Sequence, residues 1–181
     1  MDKKNRRRIL FITLFFLILV SIPIPLIIYN LMTRNPDLYV IRLEGNVSEV
    51  ITFSYEDIVD GTYGIIDDQE FEFLNQYGTR YTVTYTGVSV WALLDYAQVH
   101  YPNSTGLYFK SYDNFVTELL SLEDIKTYSE LIIIAFKIGN KVLKYTDEDG
   151  GPMRSIVNLS VTEPEYNSQY WAKYVNTIIV I

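Results

Sequence analysis

An uninterrupted apolar run near the N-terminus restricts what this chain can fold into more than any other feature. The run covers residues 9–29 (ILFITLFFLILVSIPIPLIIY) and contains no charged side chain. At about 1.5 Å per residue, a helix of this length spans roughly 30 Å, the thickness of the hydrocarbon core of a bilayer. The run contains two prolines, which transmembrane helices tolerate. It therefore predicts a single transmembrane anchor.

The charges that flank this run predict its orientation. Residues 1–8 carry five lysine or arginine side chains and one aspartate. Because cationic flanks stay in the cytoplasm, we expect a basic cytoplasmic tail at 1–8, an anchor at 9–29, a linker at 30–37 and an extracytoplasmic domain at 38–181. The expected location is the cell membrane, crossed once. A cleaved signal peptide is the alternative, although the sequence after Val20 offers no convincing small-residue cleavage site.

The charge and the cysteine content of the chain exclude several partners. The whole chain carries −7 and its first eight residues carry +4, so the remaining residues carry −11. An acidic domain repels nucleic acid, so we expect no nucleic-acid partner. We expect contact with the membrane through residues 9–29 and with a membrane or envelope protein. The chain has no cysteine. It therefore has no disulfide, no thiolate metal ligand and no site for a cysteine-linked lipid.

Residues 38–181 have the pattern of a mixed, mainly β domain. Alternating or β-branched segments predict strands at 38–43, 50–53, 80–86, 107–110, 115–119, 131–138, 141–145, 155–161 and 176–181. Capping-box spacing after Ser54 and Ser121 predicts two short helices, and apolar residues at helical spacing predict another over 89–99. The predicted fold class is α+β, a mainly β domain with a few short helices, preceded by one transmembrane helix.

Most arrangements of catalytic or metal-binding residues are missing from the sequence. His100 is the only histidine, which excludes a two-histidine metal site. The sequence has no G-x-S-x-G elbow, no P-loop and no G-x-G-x-x-G motif. The acidic residues 147–149 suggest calcium, but EF-hand spacing would place Tyr145 at the first ligand position, so a solvated loop is the better interpretation. We predict no catalytic residue and no metal ligand.

A series of short motifs runs through the domain in a defined order. They are Ile41 with Gly45 and Val47, Gly87-Val88 before Trp91, Ser111 to Phe115, Leu120 to Ile125, Gly150-Gly151-Pro152 with Arg154, and Trp171 with Lys173. In this order they resemble the oxidoreductase molybdopterin-binding domain, the fold of sulfite oxidase and its bacterial relatives. The resemblance covers residues 38–181.

The resemblance implies a cofactor site, but the sequence departs from the family in the residue that binds the metal. It implies molybdopterin as the cofactor, with Gly150, Gly151, Arg154, Trp171 and Lys173 as the cofactor-binding residues. Backbone amides of the two glycines and the guanidinium would also suit a small anionic ligand. Catalytic members bind molybdenum through a cysteine thiolate, so no molybdenum ligand is evident in this chain. A tight turn at the glycines and a structural ion pair at Arg154 are the alternatives.

Three functions are compatible with these observations. The first is a membrane-anchored, extracytoplasmic molybdopterin-binding-like domain that is catalytically degenerate and acts as a binding or interaction module. The second is a redox subunit of a molybdopterin-dependent oxidoreductase that still binds the cofactor. The third is a cell-surface domain that contacts carbohydrate or the envelope through some of its 16 tyrosines, although tyrosine also suits the half-buried faces of strands.

Overall fold

The computed structural model describes residues 38–99, 104–145, 148, 150–162 and 166–181. The predicted tail, anchor and linker, together with His100, lie outside the described residues. Within the described ranges, no helix combines the length and hydropathy that crossing a membrane requires. The transmembrane anchor therefore stays a prediction.

Short strands and shorter helices make up the described domain. In chain order the strands are β1 (Val40–Gly45), β2 (Ile51–Ser54), β3 (Ile66–Leu74), β4 (Arg80–Ser89), β5 (Gly106–Ser111), β6 (Leu120–Ser121), β7 (Ile132–Ile138), β8 (Lys141–Val142), β9 (Arg154–Val157) and β10 (Val175–Val180). The helices are α1 (Tyr55–Val59), α2 (Val90–Tyr96), α3 (Leu122–Thr127) and α4 (Leu159–Thr162), with a 3₁₀ turn at Ser168–Tyr170. The domain is mainly β with a few short helices, as the sequence predicts.

The first sheet has the strand order β2-β1-β10-β5-β6. Strands β1 and β10 run parallel, and the other neighbouring pairs run antiparallel. The last of the described strands, β10, therefore lies in the middle of the sheet. Four of its six side chains are buried, those of Val175, Thr177, Ile178 and Val180.

The second sheet has the strand order β3-β4-β7-β8, and β9 also pairs with β7. All of its pairs run antiparallel. The first five residues of β7 are buried, which explains why this segment appears in the sequence as a continuous apolar run. Buried residues of both sheets, together with Leu93 of α2 and Ile125 of α3, form one hydrophobic core.

Both predicted capping boxes are formed. The Ser54 hydroxyl accepts a hydrogen bond from the Asp57 amide (3.1 Å) at the start of α1, and the Ser121 hydroxyl accepts one from the Asp124 amide (3.0 Å) at the start of α3. In both boxes the serine hydroxyl donates to the aspartate carboxylate at 2.6 Å. In each helix the serine hydroxyl thus satisfies one amide that the first turn otherwise leaves without a partner, and the carboxylate holds that hydroxyl in place.

Replacing Ser121 with alanine should lower the free energy of unfolding by about 1 kcal/mol, because the capping bond is lost while the helix remains. Equilibrium unfolding in urea measures the change. Ser48→Ala is the control, since Ser48 is exposed in the turn between β1 and β2. A change at Ser121 no larger than that at Ser48 would contradict the capping role.

Three of the predicted strands are wrong in whole or in part. The strand predicted at 141–145 ends at Val142. Residues 115–119 form no strand, and Val116 pairs only through an isolated bridge with Lys110. The Phe109 amide donates to the Thr117 hydroxyl at 3.0 Å, so a side chain takes the place of a strand carbonyl. The strand predicted at 155–161 ends at Val157, and the chain then turns into α4.

Candidate functional site

The Gly150-Gly151 turn is closed by atoms of the chain itself. Gly150 has φ +74°, a conformation that favours glycine. A Cβ added there would lie 2.5 Å from Cβ, Cγ and Cδ of Lys173, so the lysine stem lies directly against the Gly150 backbone. The Gly151 amide donates to the Lys144 carbonyl at 3.2 Å, and the Gly150 carbonyl accepts from the Tyr174 amide at 3.2 Å. The Lys173 stem and the backbones of Lys144 and Tyr174 therefore occupy the space around the turn.

The ammonium group of Lys173 also has a partner within the chain. Its Nζ donates a hydrogen bond to the backbone carbonyl of Glu148, on the other side of the turn. The Lys173 side chain thus crosses the Gly150-Gly151 turn, from the segment before β10 to Glu148. In this arrangement Lys173 stabilises the turn, and its charge remains at the exposed surface.

Arg154 is a buried cation at the start of β9, with 8% of its surface exposed. Its guanidinium carbon lies 5.7 Å from the ring centroid of Tyr85 and 5.5 Å from that of Trp171. Both distances fall within the range of a cation–π interaction, which is stronger where water is excluded. The two rings therefore hold the guanidinium group in a fixed position.

An aromatic cluster surrounds this arginine. Phe73 lies 4.4 Å from Tyr81 and 4.4 Å from Trp171, measured between ring centroids, and Tyr85 lies 5.8 Å from Trp171. Tyr81 is 44% exposed and forms the outer edge of the cluster. Partial burial raises the pKa of the Tyr81 hydroxyl, while the nearby charge of Arg154 lowers it to a smaller extent. The positive charge of Arg154 therefore favours the ionised form of the Tyr81 hydroxyl.

Asn167 joins the edge strand β3 to β9 through its side-chain amide. Its Nδ2 donates to the carbonyls of Glu72 (2.8 Å) and Val157 (2.7 Å), and its Oδ1 accepts from the Leu74 amide (2.8 Å). The side chain is fully buried. The Val157 carbonyl also accepts the indole N–H of Trp171 at 2.8 Å. Asn167 thus offers β3 the donor and acceptor that a neighbouring strand would offer.

The structure brings the five predicted cofactor-binding residues into two neighbouring groups. Gly150, Gly151 and Lys173 form the closed turn, whereas Arg154 and Trp171 belong to the aromatic cluster. Backbone hydrogen bonds connect the two segments, from the Ser155 amide to the Ala172 carbonyl (3.0 Å) and from the Val175 amide to the Met153 carbonyl (3.0 Å).

Sequence reasoning missed several residues of this region. The alternation in β4 places Tyr81 and Tyr85 on one face, but nothing in the sequence connects that face with Arg154. Asn167 is one polar residue in a polar loop, and no sequence pattern distinguishes it. The two acids of that loop, within residues 163–165, lie outside the described residues.

The described residues form no metal-ligand cluster, and their clefts lie away from the predicted cofactor-binding residues. In the described part of the chain, no three His, Asp or Glu side chains lie close enough together to hold a metal ion. Two shallow clefts of about 280 Å³ and 210 Å³ share Ser129 and Glu130 in their walls. None of the five predicted cofactor-binding residues lines either cleft.

Comparison with known proteins identifies a family and solved structures that are similar to this chain. The family model described as the oxidoreductase molybdopterin binding domain matches residues 66–181. The structure of the sulfane dehydrogenase SoxCD from Paracoccus pantotrophus aligns with a TM-score of 0.61 and 20% sequence identity. That alignment covers 78% of this chain and 38% of the other chain, so it shows a shared fold with part of a longer protein. No curated protein matches the sequence significantly.

Proposed function

Because this chain belongs to the oxidoreductase molybdopterin-binding domain family, with a match over residues 66–181, we propose that it is a membrane-anchored member without molybdenum catalysis. Its domain would act outside the cytoplasm as a binding or interaction module. The apolar run at 9–29 and the basic residues before it support the anchoring and the orientation.

The donor set of this chain does not fit a molybdenum cofactor. Molybdenum in catalytic members is bound by a cysteine thiolate, and this sequence contains no cysteine. Neutral hydroxyls and carboxylates do not replace a soft thiolate in holding and tuning such a metal. The proposal therefore includes no reaction step at a metal.

Polar groups of three of the five predicted cofactor-binding residues are already used within the chain, and this observation carries the proposal. The Gly151 amide donates to Lys144, and the Lys173 ammonium donates to Glu148. The Trp171 indole N–H donates to Val157. A phosphate would have to displace the Lys173 stem from Gly150 and break these bonds, and each broken bond would leave a polar group without its partner.

Arg154 has a structural role that is independent of a cofactor. Its guanidinium lies beside both Tyr85 and Trp171, in the region where β9 meets the segment before β10. A buried cation held by two rings, together with the surrounding hydrogen bonds, stabilises this junction. The region that binds the cofactor in catalytic relatives would thus serve here as part of the scaffold.

Metal and pterin analysis of the full chain, solubilised in detergent from its native membrane, tests the proposal. We expect no stoichiometric molybdenum by elemental analysis and no pterin fluorescence after oxidative extraction. A cysteine-containing member of the family, produced in the same host, is the positive control for cofactor supply. Stoichiometric pterin, with or without molybdenum, would contradict the proposal and support a redox subunit that retains the cofactor.

A further inference from the structure

Four strands of the first sheet have a tyrosine immediately beyond the same end. These residues are Tyr39 before β1, Tyr55 after β2, Tyr112 after β5 and Tyr174 before β10. The strand directions bring them together, because the starts of β1 and β10 lie beside the ends of β2 and β5. The residues that flank the same strands at the opposite end are Asn46, Val50, Thr105 and Ile181. The aromatic residues are therefore confined to one end of the sheet.

These residues form two groups of contacts at the same end of the sheet, Tyr39 with Tyr55 and Tyr174 with Tyr112 and Tyr145. We call the five residues together the tyrosine rim (Tyr39, Tyr55, Tyr112, Tyr145 and Tyr174). The rings of Tyr39 and Tyr55 lie 5.6 Å apart, and those of Tyr145 and Tyr174 lie 5.5 Å apart. The Tyr112 amide donates to the Tyr174 carbonyl at 2.9 Å. Tyr112 and Tyr145 are 40% and 45% exposed, so the rim presents rings to its surroundings.

Tyrosine combines an apolar ring with a hydroxyl, and it is enriched where a protein meets the interface between lipid and water. The chain enters the sheet at this same end, since Leu38 precedes Tyr39 and β1. Residues 30–37 separate Leu38 from the apolar run, and eight extended residues reach at most about 28 Å. A chain anchored through that run would therefore keep this end of the sheet within reach of the bilayer.

We propose that the tyrosine rim contacts the headgroup region of the lipid bilayer that anchors the chain. This inference rests on the anchoring in the proposed function. It orients the domain with the starts of β1 and β10 towards the lipid and the turn between β1 and β2 away from it. The rim would hold one face of the domain at the membrane surface and leave the other faces open to a partner.

The charges beside the rim indicate which kind of lipid contact to expect. Glu56 follows Tyr55 and Asp113 follows Tyr112, whereas Lys144 and Lys173 precede Tyr145 and Tyr174. Because charges of both signs are present, attraction to anionic lipid is not the main contribution. The rings supply the contact, so it should form on zwitterionic lipid and change little with salt.

Single-cysteine labelling of the full chain tests the inference, and the natural absence of cysteine makes the labelling specific. An environment-sensitive fluorophore is placed at Phe115→Cys, three residues beyond Tyr112, and at Val50→Cys, at the opposite end of the sheet. Both native side chains are exposed, at 47% and 63%. In phosphatidylcholine nanodiscs, headgroup spin-labelled lipid should quench the label at position 115 several-fold more strongly than the label at position 50.

Three outcomes separate this inference from the proposed function. If the chain does not float with phosphatidylcholine liposomes after an alkaline wash, the anchoring fails. If it floats but both labels are quenched equally, the rim inference alone is overturned. If the label at position 115 responds only after membrane proteins of the host are added, the rim contacts a protein and the lipid inference is also overturned.

A second variant tests whether the rings cause the contact. Replacing Tyr112 and Tyr145 with serine together should bring the quenching at position 115 close to that at position 50. Tyr77→Ser is the control, since Tyr77 is 83% exposed in the turn between β3 and β4 of the other sheet. Unchanged quenching in the double variant would overturn the role of the rings. If that variant fails to fold, the quenching of the labels at positions 115 and 50 in the otherwise native chain still decides whether the rim contacts lipid.

Discussion

Replacing Asn167 with alanine should lower the free energy of unfolding by about 3–5 kcal/mol, because it removes three hydrogen bonds at a fully buried position. The Leu74 amide and the Glu72 carbonyl would then lose their partner at the edge of β3. A buried polar group without a partner costs about 1–3 kcal/mol, so the loss exceeds that of an ordinary surface substitution. Equilibrium unfolding in guanidinium chloride measures the difference.

Two further substitutions make this prediction specific. Asn167→Asp keeps the acceptor for the Leu74 amide but places a carboxylate oxygen against the carbonyls of Glu72 and Val157. It should therefore be at least as destabilising as alanine. Asn140→Ala, in the exposed turn between β7 and β8, should change the free energy of unfolding by no more than about 0.5 kcal/mol. A loss below about 1 kcal/mol for Asn167→Ala would show that the edge of β3 does not depend on this side chain.

Gly45→Ala should destabilise the domain by about 4 kcal/mol or prevent folding, for two reasons. Gly45 has φ +98°, which costs an L-residue about 1–2 kcal/mol. The added Cβ would also overlap the backbone carbonyl oxygen of Val180, on the neighbouring strand β10. That oxygen accepts the Asn46 amide at 2.8 Å, so moving it would weaken the contact between β1 and β10. Thermal unfolding and soluble yield measure the effect.

The chain offers a closely matched control for this substitution. Gly64 has φ +82°, but a Cβ added there would meet no atom within 4 Å. Gly64→Ala should therefore show only the conformational cost of about 1–2 kcal/mol. The difference between the two variants isolates the close approach of Gly45 to β10. Equal losses in the two variants would contradict that explanation.

Local chemistry predicts much of this fold correctly. The capping boxes at Ser54 and Ser121 act within one helical turn, so their spacing alone reveals them. Strand β7 is buried over five consecutive residues, and its apolar run is correspondingly clear. By contrast, the segment at 115–119 has strand-like residues but forms no strand, and the Thr117 hydroxyl accepts the Phe109 amide where a strand carbonyl would. A side chain that competes with the backbone ladder is invisible to a pattern of hydropathy.

Strand β3 has no counterpart among the predictions. It begins with the acidic residues Asp67 and Asp68, and only Phe71 and Phe73 in its second half are buried. Charged residues are common on edge strands because they discourage pairing with other chains. The same charges hide the strand from a search for β-branched or alternating segments. Its outer edge is completed by Asn167, which is distant in sequence, so no local pattern could identify that contact.

The sequence singled out Arg154 and Trp171 as members of one predicted site, but the contacts that these residues make were not predictable. Arg154 and Trp171 lie in one cluster, as a shared site requires. Their partners Phe73 and Tyr85 lie on β3 and β4, which are distant from both residues in sequence. Such contacts depend on how β3 and β4 pack against β9. Patterns along the sequence do not reveal how these strands pack.

Two glycines that carry the family resemblance have structural explanations. A Cβ at Gly45 would overlap Val180, and a Cβ at Gly87 would overlap the carbonyl oxygen of Ile134 on β7. Both positions need glycine because neighbouring backbones approach closely. These parts of the family pattern therefore depend on the architecture of the sheets, and they would persist in a member that binds no cofactor.

The central position of β10 affects the order in which the domain can be completed. Strands β1 and β5 reach each other only through β10, which lies far from both along the chain, so the first sheet cannot close before β10 is available. Chains whose contacts join distant segments also fold slowly. If the chain is exported, the first sheet could therefore form only once β10 has also crossed the membrane.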